Sequence, residues 1–167
     1  MKKTDFHQFY IAYMERIYKF VYFRVAGNKE LAQDLTQDIF LKAFQAFDRY
    51  DPAISKTSWL YTIARNHIIN HHAKQHPGVP LEDVEGSLCA SEDFRERFAA
   101  RHDERALLQA MTQLPPEDAQ LVQMKYLEGW SFDELAEVLE KKSGALRVQA
   151  GRAIKKLKPL LKHPYSI

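Results

Sequence analysis

Residues 131–161 read SFDELAEVLEKKSGALRVQAGRAIKKLKPLL, and the fold follows from how this stretch divides. Ser131 with Glu134 three residues later is a capping box: the hydroxyl accepts from the backbone and the carboxylate reaches back. A short helix runs from there to Leu139, and Glu140-Lys141-Lys142 makes a tight connection. A longer helix begins near Ser143 and continues to Leu161. On it Leu146, Ala150, Ala153, Leu157 and Leu161 recur at three and four residue spacing, one apolar face. The opposite face carries Arg147, Val148, Gly151, Arg152 and Lys155. A short capped helix, a tight turn and a basic helix have the dimensions of a helix-turn-helix. Arginine can fork onto guanine while lysine neutralises phosphate, so such a stripe suits DNA. The charges by themselves also fit a merely solvated helix face, the lesser reading, which the preceding capped helix weakens further. Gly151 costs about 1 kcal/mol relative to alanine in mid-helix, and close approach of the helix to a DNA backbone is one reason to keep it.

Upstream, the same periodicity continues and strand signals are nearly absent, so the spacing predicts an all-α protein. A first helix is expected over about Asp5 to Ala26, ending at Gly27-Asn28 with a left-handed cap. A second spans about Asn28 to Arg49, stopped by Asp51-Pro52. A third starts near Ser55 or Thr57 and reaches Gln75. These three form an N-terminal bundle over residues 1–76. Pro77-Gly78-Val79-Pro80 breaks the pattern, and 77–90 is acidic, small and irregular, a flexible linker. The C-terminal domain, 91–167, opens with a helix from Ser91 to Gln113 whose Phe94, Phe98, Leu107, Leu108 and Met111 make a buried stripe. Pro115-Pro116 then starts a helix to Leu127, closed by Gly129. The fold expected is two small helical domains, a three-helix bundle and a helix-turn-helix domain.

The chain has 167 residues, 46% hydrophobic, with 6 Gly and 7 Pro, enough for one modest core or two small ones. Charge is segregated: net +1 over 1–51, +3 over 52–81, −10 over 82–140 and +8 over 141–167. That pattern points to two basic surfaces joined through an acidic middle. Cys89 is the single cysteine, so neither an internal disulfide nor a multi-thiolate zinc site is possible, and a reducing compartment fits. No apolar run approaches the ~20 residues needed to span a bilayer, and the expectation is a cytoplasmic protein without membrane insertion.

A second chemical signal lies in the third helix, where Lys56 to His67 mix aromatics, hydroxyls, amides and bases without one acid. Aromatic rings beside cations hold unstacked bases, each stack being worth roughly 1 to 3 kcal/mol. Trp59, Leu60 and Ile63 fit a core equally well, whereas Lys56, Arg65, Asn66 and Asn70 do not. His67 with His71, and His72 with His76, stand four apart, a spacing able to bind a divalent metal from one helix face. No nearby cysteine or carboxylate supplies a clear third ligand, so no metal is assigned. The alternative is hydrogen bonding and pH-dependent charge beside phosphates. On the second helix, Leu35, Ile39, Ala43 and Phe47 form the buried stripe, and the other side shows Asp34, Gln37, Asp38, Leu41 and Gln45. A leucine rimmed by acids and amides suggests a protein-binding face, although one exposed leucine is also ordinary. There is no glycine-rich phosphate loop, no nucleophile with an evident base and no paired carboxylates set to shift their pKa. No enzyme and no cofactor is expected.

Three segments together carry a resemblance: Ala32 to Phe44 (AQDLTQDIFLKAF), Trp59 to Asn66 (WLYTIARN), and the terminal helix-turn-helix. In order and separation the chain resembles an extracytoplasmic-function sigma factor of bacterial RNA polymerase, in the sigma-70 family. The resemblance implies that the second helix docks on core RNA polymerase through Asp34, Gln37, Asp38 and Leu41. It implies that the third helix and the loop before it open the promoter −10 element. The matching residues are Lys56, Thr57, Ser58, Trp59, Arg65, Asn66 and Asn70, with Asn66 nearest a captured base. It assigns −35 reading in the major groove to Arg147, Val148, Gly151, Arg152 and Lys155. It further implies promoter DNA and an anti-sigma factor as partners. Many members begin the recognition helix Gly-Thr-Val-Lys-Ser-Arg; here Gly144-Ala145-Leu146-Arg147-Val148-Gln149 puts Val148 in place of a hydroxyl, able to touch a thymine methyl. A competing reading is a stand-alone helix-turn-helix regulator that binds duplex DNA unaided.

Overall fold

The computed structural model describes residues 3–25, 27–78 and 102–161. Helix α1 spans Lys3–Arg24, and α2 spans Lys29–Ala46, running on as a 3-10 turn over Phe47–Arg49. Helix α3 is Lys56–Gln75, α4 His102–Met111, α5 Pro116–Val122, α6 Phe132–Val138 and α7 Ser143–Leu161. Among the described residues every regular element is a helix, and turns and short irregular segments join them. The expected linker beyond Gly78, and Phe94 and Phe98 of the helix expected from Ser91, lie outside them.

The caps are those that local chemistry dictates. After α1 the chain turns back at Gly27, whose φ of +72° is open to glycine and whose N–H donates to the Tyr22 carbonyl at 3.0 Å. Asn28 caps α2 by accepting from the Leu31 N–H at 3.2 Å, and Ser55 caps α3 by accepting from the Ser58 N–H at 3.0 Å. The capping box of α6 forms in both directions, Glu134 N–H to Ser131 Oγ at 3.1 Å and Ser131 N–H to Glu134 Oε2 at 2.8 Å. The largest departure from the expected boundaries follows Pro116. The helix begun at Pro116 does not stay α to Leu127 but widens into a π turn over Gln123–Leu127. In a π turn, residues five apart come into register. Glu128 is thereby folded back over Gln123, whose Nε2 donates to Glu128 Oε1 at 3.0 Å.

In the N-terminal bundle Ile17, Phe20, Ile39, Leu60 and Ile68 are fully buried between α1, α2 and α3. In the C-terminal half Leu121, Met124, Leu135 and Leu146 do the same. These are one continuous cluster, not two. The link is Trp130, 1% exposed, which meets Phe20 and Tyr61 edge-on with centroids 6.3 and 6.0 Å away. Covering a ring of about 200 Å² at about 25 cal/mol per Å² contributes up to about 5 kcal/mol. A smaller cluster of Ala110, Met111, Leu114, Ala119, Val122, Ala153 and Leu157 packs below it, and Phe23 of α1 leans on that cluster too. The larger cluster is thus shared by both halves, and the smaller one is built mainly from the C-terminal half.

Candidate nucleic-acid and partner interfaces

Helix α7 buries Leu146, Ala150, Ala153 and Leu157 and leaves Leu161 half-buried. Its other face presents Arg147, Val148, Gly151, Arg152 and Lys155 to solvent, with Val148 55% exposed. Arg147 is held over the Phe132 ring at 5.0 Å, which orients the guanidinium without neutralising it. No protein atom lies within 4 Å of where a Cβ on Gly151 would stand, so internal packing does not require glycine there. Beside this face a groove of about 550 Å³ is lined by Gly144, Ala145, Val148, Gln149 and Arg152. Asp118 of α5 reaches into it, accepting from Gln149 Nε2 at 2.8 Å with Lys156 Nζ at 3.9 Å. Sequence reading passed over Asp118 and Gln149, because nothing local ties an acid in one helix to an amide 31 residues later.

On α3, the structure divides the named residues. Lys56, Arg65, Asn66 and Asn70 are exposed, and Arg65, Asn66 and Asn70 share one face with Thr62. Ser58 and Trp59 are half-buried. Trp59 stands among Phe9, Phe47 and Tyr50, with centroids 6.0, 6.2 and 5.1 Å away. Thr57 is buried, its Oγ1 3.0 Å from the Tyr13 hydroxyl.

His67 and His72 turn to different neighbours. His67 points to α2, with Nε2 3.5 Å from Asp38 Oδ2 and Nδ1 2.9 Å from Lys42 Nζ. Burial, with the Lys42 ammonium nearby, holds its pKa below the ordinary imidazole value despite Asp38. His72 turns the other way and meets the Arg24 carbonyl at 3.1 Å; burial also lowers its pKa, outweighing that hydrogen bond. Among the described residues no three His, Cys, Asp or Glu side chains are grouped to hold a metal ion.

Along α2, Leu35, Ile39, Ala43 and Phe47 at its end are buried, and Asp34, Gln37, Asp38 and Leu41 face solvent. Leu41 is 56% exposed. Phe44 and Tyr10 are exposed as well and pack on Phe6 and Phe40 respectively, so apolar surface from both helices borders the acidic face. The charge at the centre of the molecule is of another kind. Arg24 Nη1 donates to Glu128 Oε1 at 2.6 Å, with the two side chains 6% and 0% exposed. Glu128 also accepts from Gln123 and, at 2.9 Å, from Trp130 Nε1. Arg24 lies 3.6 Å over the Phe20 ring.

Among the described residues no helix is long and apolar enough to cross a membrane. The family model for Sigma-70 region 2 matches residues 9–77 and that for Sigma-70 region 4 matches residues 104–157. RNA polymerase sigma factor CarQ of Myxococcus xanthus is 33% identical over 141 residues, 83% of this chain and 79% of that protein. ECF RNA polymerase sigma factor BldN of Streptomyces coelicolor is 30% identical over 161 residues, of which this chain spans 60% of the longer relative. In fold, the chain is similar to sigma factor RpoE of Bartonella quintana, solved in complex with the anti-sigma factor NepR (TM-score 0.61, 21% identity, 96% of this chain and 98% of that one). It is also similar to CnrH in complex with the cytosolic domain of CnrY (TM-score 0.63, 23% identity, 98% and 91% covered). With both sigma regions present in order, and a relative one-third identical over most of both chains, the protein belongs to the sigma-70 family of RNA polymerase sigma factors, in its extracytoplasmic-function group.

Proposed function

We propose that this sigma factor divides promoter initiation among three helical faces and has no enzymatic activity of its own. Asp34, Gln37, Asp38 and Leu41 of α2 dock on core RNA polymerase, the leucine as apolar anchor and the acids as its rim. The α3 face, with Asn66 nearest a captured base and Lys56, Arg65 and Asn70 on the strand backbone, holds the opened −10 element. Ser58 and Trp59 serve at its margin, while Thr57 supports the face by anchoring α3 to Tyr13. On α7, Arg147 and Arg152 read −35 base edges, Val148 meets a thymine methyl, Gly151 lets the backbone approach, and Lys155 pairs with phosphate. The observation supporting this division is that each face stands out to solvent while the opposite stripe of its helix is buried. Since RpoE is seen bound to an anti-sigma factor, we extend that class of partner to this chain. The two domains are drawn at residues 1–76 and 91–167 with 77–90 as linker, and the expected setting is the cytoplasm, where polymerase and promoter meet.

The test is run-off transcription with purified core polymerase, together with core pull-down. Asp38→Arg and Leu41→Arg, both at exposed positions, should abolish association while leaving far-UV dichroism unchanged. Normal association by both would move the polymerase face elsewhere. A chain that shifts promoter duplex alone and yields no transcript with core would be a stand-alone regulator instead.

A further inference from the structure

We propose that Gln149 reads an adenine of the −35 element, and that Asp118, on another helix, is the positioning residue that fixes which edge the Gln149 amide presents. This rests on the promoter reading above. Three residues before Arg152, Gln149 lies on the same stripe of α7, and with Val148 the two line the groove of about 550 Å³. Val148 and Arg152 stand free in solvent, whereas Gln149 is half-buried and held. The hold comes from α5. Ala119 and Val122 pack with Ala153 and Leu157 in one buried cluster, which fixes the first turn of α5 against α7. Asp118 of that turn is 16% exposed. One of its oxygens accepts from Gln149 Nε2 at 2.8 Å, and Lys156 Nζ stands 3.9 Å from the other.

That contact limits what Gln149 can read. A carboxylate has only acceptors, so it engages the NH2 end of the amide and forbids the turned-over arrangement in which Oε1 would face it. Gln149 is left with one N–H and Oε1, a donor beside an acceptor. In the major groove adenine alone matches that pair, N7 accepting and the N6 amine donating. Guanine shows two acceptors, thymine an acceptor and a methyl, cytosine a single donor group. A phosphate fits less well, because its charged oxygen at Nε2 would stand close to the Asp118 carboxylate, and like charges repel. Freed from Asp118, the amide regains its second N–H and can turn its NH2 end to the two acceptors of guanine. The acid at the edge of a basic face thus narrows a purine contact to one base.

Run-off transcription with core polymerase tests this, on barcoded templates randomised over the −35 and −10 elements, with the transcripts sequenced. The wild type should favour adenine at one −35 position by about 5- to 150-fold, the discrimination of a good bidentate pair. Gln149→Ala should remove that preference and leave the other positions as they were. Asp118→Asn, of the same volume, should admit guanine beside adenine there, since its own amide can turn and offer Gln149 either group. Asp118→Ala should do the same; if it loses helix by far-UV dichroism, Asp118→Asn decides. Lys156→Ala, which removes the other partner of Asp118, should leave the adenine preference in place. An adenine preference that survives Gln149→Ala, or a loss spread equally over all templates, overturns the proposal. A chain with Asp118→Asn that still rejects guanine overturns the part given to Asp118. Failure of the promoter reading is distinct: the wild type would then give no transcript with core from any template, and the role of Gln149 would fall with it.

Discussion

Replacing Arg24 by methionine keeps most of the side chain's volume and its contact with Phe20 but removes the charge opposite Glu128. Glu128 is fully buried and loses one of three donors, retaining Gln123 and Trp130. Stranding one charge of a buried pair costs about 3–5 kcal/mol, and the two remaining donors place this case near about 3 kcal/mol. Against a total stability of about 5–15 kcal/mol that is a large share. For a chain of this size it corresponds to about 6–12 °C in Tm. Urea unfolding followed by far-UV dichroism, with a calorimetric scan beside it, reads both numbers. Adding Glu128→Gln to Arg24→Met removes the stranded charge and should recover most of the loss, so the two changes couple strongly. A loss under about 1 kcal/mol is the worth of a solvated surface pair. That outcome would refute the burial of this contact in solution, and the shared core with it.

Ser131→Ala removes one arm of the capping box that orients α6, and should cost about 1 kcal/mol in the same urea titration without altering the fold. Arg152→Ala should weaken −35-dependent run-off by about 1–3 kcal/mol and relax preference at one position; an equal loss on all promoter sequences would make Arg152 a phosphate contact. His67 and His72 are held below the ordinary imidazole value of 6.5 by burial, so the unfolded chain takes up protons first. Their contribution is complete above about pH 6.5 and declines as pH falls below it. The urea midpoint should drop between pH 7.5 and 5.5, and His72→Gln should flatten that slope. Glu134 behaves in another window. Burial pushes its carboxyl up, but Arg16 and the Ser131 N–H outweigh that and leave it below 4.5. The stability it supplies is present above about 4.5 and lost at more acid pH, a step that Arg16→Gln should shrink.

The sequence by itself determined the helical segments among the described residues, the caps at Gly27 and Ser131, and the stripes of α2 and α7 that turn inward. Those properties depend on residues three or four apart, as with Ser131 and Glu134 or Leu146 and Ala150, and so are written locally. For the same reason the exposed faces of α2 and α7 were legible, each being the complement of an apolar stripe. The face of α3 was less so. Its aromatics and hydroxyls suit a core as well as a base, and only packing against Tyr13 and the Phe9, Phe47 and Tyr50 rings decided that Thr57 goes inside while Asn66 stays out. The π turn went unforeseen because it is drawn in by a tertiary contact: it carries Glu128 to a cation on α1, and no periodicity in either segment reports the other. Whether two halves with their own apolar stripes keep separate cores or share one depends on which faces meet across about a hundred residues of chain. That choice is made by long-range burial of Trp130 and pairing of opposite charges, which local spacing does not encode.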